Sequence, residues 1–156
     1  MSAHGTGSVL IDVNAGDLIV NTDIVSSTGH ITLKAENLPQ IVTAPPAEFG
    51  GPGDQWSPET LLVGAVADCF ILTFRAVARA SRLEWTSLEC SAEGVLERVE
   101  RVTRFTAFTV RASLKVPAGT DADKARKLLE KSEEVCLVTR SLLAESHLEA
   151  EVIVAE

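Results

Sequence analysis

The chain has no tyrosine, a single methionine and only 4% aromatic residues among its 156. With so few rings, stacking on bases is a poor mode of binding, and no Lys/Arg cluster with interleaved aromatics occurs. Positive charge is also scarce: 14 Lys and Arg stand against 22 Asp and Glu, for a net charge of −8. Such a chain repels phosphate backbones at long range, which argues against nucleic acid as a partner. Three cysteines (Cys69, Cys90 and Cys136) are too few, and odd in number, for a disulfide scaffold. The three histidines, His4, His30 and His147, lie far apart, and neither C-x-x-C nor H-E-x-x-H occurs, so no metal site is expected. Gly50-Gly51-Pro52-Gly53 lacks the Lys-Ser/Thr that a phosphate cradle needs. The longest uncharged apolar stretch, Thr60 to Ala67, stops at Asp68, short of the roughly 18 to 20 residues of a bilayer span, so no membrane partner is expected. The opening Met-Ser-Ala-His-Gly-Thr-Gly has neither a basic nor an apolar leader segment, and a cytoplasmic location follows as the expectation.

What is present suits one folded domain over residues 1–156. At 46% hydrophobic and 23% charged, a chain of this length can bury roughly 70% of its unfolded surface. Residues 8–35 read as a strand meander: Ser8 to Val13, Leu18 to Val25 and His30 to Ala35, separated by turn residues. A loop rich in Pro and Gly follows over 36–57, without a clear period, in the manner of a connector or a lid. Ser57-Pro58-Glu59 then opens a helix, with Ser as N-cap, Pro at the first position and a carboxylate in the first turn. This helix, 58–82, is apolar almost all round, the mark of a central element covered by others or by a partner chain. Strands are expected over 87–116, helices over 121–145 with Thr120 and Asp123 as a capping box, and a final strand over 148–154. The order is α+β, with antiparallel sheets around a long central apolar helix.

Cysteine is the one residue type that offers chemistry. Cys69 lies in the middle of the apolar helix, where a small core residue is the plain alternative to a reactive thiol. Cys90, between Glu89 and Ser91 in a strand, reads as structural. Ten positions of helix separate Glu59 from Cys69 by about 15 Å, so within one chain the two cannot meet. If both serve one site, a neighbouring copy brings its Glu59, which favours an intertwined homodimer.

The run from Ser57 to Phe70, Ser-Pro-Glu-Thr-Leu-Leu-Val-Gly-Ala-Val-Ala-Asp-Cys-Phe, resembles the helix signature of the OsmC/Ohr family. Glu133-Glu134-Val135-Cys136-Leu137-Val138-Thr139-Arg140-Ser141-Leu142 is similar to that family's second-cysteine segment. The resemblance runs from about residue 50 to the C-terminus. It implies an OsmC-like fold, a homodimer, and a thiol-dependent peroxidase for organic hydroperoxides that needs no cofactor. Cys69 would be peroxidatic and Cys136 resolving, with a dithiol such as a lipoyl group as reductant. Glu59 would be the supporting glutamate, contributed by the partner chain.

An ordinary thiol is only about 3% thiolate at pH 7, and burial lowers that fraction. The family raises it with an arginine in the N-terminal strands, but this sequence has none before Arg75; upstream stand only Lys34, His30 and His4. Asp68 opposes a thiolate at Cys69, and Arg75 lies about 240° around the helix from it. Arg140, four positions after Cys136, is the tentative local cation. The alternative implied is an OsmC-like dimer without full peroxidase activity, which binds an apolar ligand or senses oxidants.

Overall fold

The computed structural model describes residues 18–156, which fall into two compact units, 18–62 and 63–156. The expected strand over Ser8 to Val13 lies outside the described residues.

The first unit holds a three-stranded antiparallel sheet in sequence order, β1 (Asn21–Thr22), β2 (Ile31–Lys34) and β3 (Ile41–Thr43). Asn21 pairs with Lys34, and Leu33 with Ile41. Strands fall within the expected 18–25 and 30–35 segments, and a third, not expected, lies inside the segment read as a loop. Proline on both flanks hid it: with Pro39 before and Pro45 after, three residues are too few to show a period. The rest of that segment is ordered as well. A short 3₁₀ turn spans Ala47–Phe49, and the Ala44 N–H donates to the Trp56 carbonyl at 2.9 Å, which closes the segment on itself. At Gly51 a Cβ would stand 1.7 Å from the Pro45 carbonyl oxygen, so the turn admits no side chain there.

Helix α1 (Pro58–Ala80) starts where Ser57 requires. Ser57 Oγ accepts from the Thr60 N–H at 3.0 Å, and Thr60 Oγ1 accepts in return from the Ser57 N–H at 2.8 Å. That is a reciprocal cap in which threonine takes the role usually given to glutamate. The helix ends two residues before the expected Arg82, which has φ 56° while the Leu83 N–H reaches back to the Ala78 carbonyl at 2.9 Å. A left-handed residue with a bond of that span is a Schellman end.

With a mean hydropathy of 1.9, α1 is long and apolar enough by length and composition to cross a bilayer. This corrects the sequence argument, since Asp68 alone does not disqualify the window. The core helix of a water-soluble protein passes the same test. Its sides are not equivalent: Val66, Phe70, Phe74, Val77 and Ala78 are buried in one stripe, while Asp68, Leu72, Arg75 and Arg79 are exposed.

In the second unit, β4 (Ser87–Val99) and β5 (Val102–Val116) form a long antiparallel hairpin. Its two-residue turn has Glu100 and Arg101 at φ 51° and 72°, the left-handed pair that matches strand twist. Helices α2 (Ala122–Val135) and α3 (Leu137–Arg140) then carry the chain to β6 (Glu145–Val154). The last strand joins β5 in parallel, in an otherwise antiparallel arrangement, because two helices provide the long crossover that parallel pairing needs. It begins three residues earlier than expected.

Helix α2 is capped by Asp121, whose side chain accepts from the N–H groups of Asp123 and Lys124, and not by Thr120. It buries Ala125, Leu129 and Ser132, one face at helical spacing, and Arg126 donates to the Ala150 carbonyl of β6 at 2.8 Å. Alternate residues of β5 (Phe108, Val110, Ala112, Leu114 and Val116) join the α1 stripe and Leu129 among the buried side chains.

Candidate functional site

Cys136 stands where α2 has ended and α3 has not begun, in extended conformation at φ −61° and ψ 116°. The break turns its side chain inward, to 1% exposure. Cys69, midway along α1, is half-buried, and its Sγ lies 3.9 Å from Thr73 Oγ1 one helical turn on. Both thiols are free. They are near enough all the same for Cys69 to influence the Cys136 thiol.

Burial is the main reason that the Cys136 pKa is raised, and the nearby Cys69 adds to the rise. The backbone N–H and hydroxyl of Thr139 act in the opposite sense and favour the thiolate. In the resting arrangement the Thr139 hydroxyl donates to the Cys136 carbonyl at 3.3 Å, so the N–H is the donor more freely available to the sulfur. Two thiols in one place, one enclosed and one partly open, can form a reversible disulfide.

None of the other anticipated residues is among the groups that act on the Cys136 thiol. Glu59 occupies the first turn of α1, in the first unit; its Oε1 is buried and has no hydrogen-bond partner among the described residues. The helix is unbroken from Pro58 to Ala80, so Glu59 does not sit beside Cys69 along it. Arg140 is exposed at the end of α3 and lines a shallow cavity of about 340 Å³ with Glu133, Glu134, Thr139, Leu142 and Ser146. It is not among the groups that shift Cys136. Cys90 sits in β4, its thiol pushed up to about 11 by burial, and it does not act on Cys136 either. A larger depression, about 570 Å³, lies over the β4–β6 sheet near Cys90, Arg111 and Glu149 and contains neither member of the thiol pair. Among the described residues, no three His, Cys, Asp or Glu side chains gather as a metal site would require. Sequence reasoning missed Thr73 and Thr139. Their spacing was the available signal: four after Cys69 on a helix, and three after Cys136 at a helix start.

The arrangement defines an α+β protein that brings two free cysteines, distant in sequence, to one place. A family model described as "OsmC-like protein" matches residues 51–151, and the chain belongs to that family. A relative in Bacillus subtilis (strain 168), the uncharacterized protein YmaD, is 29% identical over 123 residues, which is 77% of this chain and 81% of that one. Among solved structures, an OsmC-like protein of unknown function from Vibrio cholerae O1 biovar eltor str. N16961 has a TM-score of 0.77 at 17% identity, covering 87% of this chain and 99% of its own. An organic hydroperoxide resistance protein OsmC from Legionella pneumophila has a TM-score of 0.69 at 22% identity, covering 89% and 98%. At these identities the two structures establish a shared fold.

Proposed function

We propose that this protein is a thiol-dependent peroxidase for organic hydroperoxides, with Cys69 as the peroxidatic and Cys136 as the resolving cysteine. The observation that carries the reading is the proximity of the two free thiols, from the middle of α1 and the α2–α3 junction. Family membership supports it, and so does the likeness to a structure titled as an organic hydroperoxide resistance protein.

The Cys69 thiolate attacks the hydroperoxide, the O–O bond breaks, and the alkoxide leaves as an alcohol after taking up a proton. Cys69 is then a sulfenic acid. The Cys136 thiol condenses with it, releasing water and forming a disulfide. A dithiol such as a lipoyl group reduces the disulfide and becomes oxidised itself. Keeping Cys136 protonated suits the second role, since the attacking thiolate is needed first at Cys69. Apolar residues around Cys69 favour an alkyl hydroperoxide over hydrogen peroxide. In this reading the protein works as a cytoplasmic homodimer, Glu59 serving its partner's site, with no cofactor, nucleic acid or membrane required.

Thiol titration with cumene hydroperoxide tests the proposal. Wild-type protein loses two thiols per chain, restored by dihydrolipoamide. Cys136→Ser completes one turnover and leaves a sulfenic acid that dimedone traps at Cys69. Peroxide consumption by Cys69→Ser at the wild-type rate overturns the reading. The absence of any arginine before Arg75 favours a second reading, in which the fold binds an apolar ligand or senses oxidants without turnover. One slow oxidation of the pair, unaffected by dihydrolipoamide, would support it.

A further inference from the structure

Hydroxyl groups inside helices usually donate back to a carbonyl one turn earlier. Ser132 does so to Leu128 at 2.7 Å, and Ser141, just after α3, to Leu137 at 2.9 Å. Thr73 departs from this habit. Its Oγ1 faces the Cys69 sulfur at 3.9 Å, within the longer reach of hydrogen bonds to sulfur, and that is its hydrogen-bond partner among the described residues. A four-residue step puts the two side chains one above the other on the same helical face.

Cationic help near Cys69 is sparse in the sequence. No arginine precedes Arg75; on α1 the charged groups flanking Cys69 are Asp68 and Arg75, both exposed. At the Cys136 end stand Glu133, which is half-buried, and the exposed Glu134 and Arg140. Cys136 is itself a neighbour, buried and held in its protonated form. Among the described residues, the hydrogen-bonding group shown at the Cys69 sulfur is the neutral hydroxyl of Thr73, and hydrogen bonds to a charged group are worth roughly twice those between neutral ones.

We infer that the Thr73 hydroxyl is the hydrogen-bond donor that stabilises the Cys69 thiolate, taking over part of the task an arginine would otherwise perform. The thiol proton leaves to water, the threonine hydrogen stays on its oxygen, and Oγ1 turns its O–H toward the anionic sulfur. The inference rests on the reading of Cys69 as the reacting cysteine and adds a residue that the helix signature does not contain.

Alkylation by iodoacetamide, read by mass spectrometry at Cys69, tests it without any peroxide. Thr73→Val keeps the shape and removes the donor; Thr73→Ser keeps the donor. At pH 7, Thr73→Val should alkylate at Cys69 about tenfold more slowly than wild type, as expected for losing one hydrogen bond to a charged group. The gap should close as the pH is raised into the alkaline range, where thiolate formation no longer limits alkylation. Thr73→Ser should stay within about twofold of wild type at every pH. Identical pH profiles for Thr73→Val and wild type overturn the inference, as does a defect that Thr73→Ser fails to rescue, which would mean packing alone. Matching profiles with intact peroxide turnover remove only the role of Thr73. A threonine-dependent profile without peroxide turnover removes only the peroxidase reading.

Discussion

Residues 63–156 bury Phe70, Phe74, Phe108, Leu114 and Leu129 to 1% exposure or less, whereas in 18–62 the buried residues are Thr43, Ala44 and Ser57. The first unit leaves Leu18 and Ile24 almost fully exposed, and Trp56 more than half so. Burial of a large apolar side chain contributes about 1.5–3 kcal/mol, and only the second unit collects several such contributions. The first is ordered by backbone pairing, tight turns and the Ser57–Thr60 cap, and its apolar groups remain available for another surface. Under the proposed homodimer, that surface belongs to a second copy. The thiol pair sits in the unit that has the core, where packing can hold two sulfurs in register.

The largest effect expected from breaking this contrast is at Phe74, which is fully buried and packs edge-on to Trp85 with ring centroids 5.4 Å apart. Phe74→Ala should cost about 3–5 kcal/mol, measured by urea unfolding with Trp85 fluorescence in a Trp56→Phe background. A smaller effect is expected at high pH from Cys90. Its folded pKa of about 11 lies above that of an unfolded thiol. The folded state therefore keeps its proton longer, and the stabilisation is complete below about pH 8.5 and lost as the pH rises towards 11. Because Cys90 is only half-buried, solvent screening reduces the loss to about 1 kcal/mol. Cys90→Ala should flatten that part of a urea-midpoint profile between pH 8 and 11. The smallest effect is expected in the first unit. Ile24→Ser should change the stability of a single chain by no more than about 0.5 kcal/mol, checked by urea titration at concentrations too dilute for association.

Local chemistry was the most legible part of the sequence. Ser57-Pro58 marked the start of α1, and strand alternation placed β4 and β5 closely, because caps and strand pairing depend on residues near in sequence or on a strict period. Errors arose where a distant or competing partner decided. Asp121 displaced Thr120 as cap because a carboxylate accepts from two N–H groups at once. The parallel pairing of β6 with β5 is set by the path of α2 and α3, which no local pattern records. In the site, Cys69 and Cys136 stood out in motifs, but their proximity is a matter of packing. Arg140 was expected to share a face with Cys136 on a continuing helix; α2 instead ends at the cysteine, and Arg140 is exposed at the end of α3.

The order of amino acids alone determined where α1 begins, where β4 runs, which thiols stand in family-like motifs, and that the net charge is negative. Those properties follow from single residues and short spacings. Only the folded chain decided that α1 buries one stripe and leaves another uncovered, that Cys136 is enclosed while Cys69 is half open, and that Thr73 faces sulfur instead of backbone. Each of these depends on which surfaces meet across long stretches of chain, and burial and hydrogen-bond partners exist only once they have met.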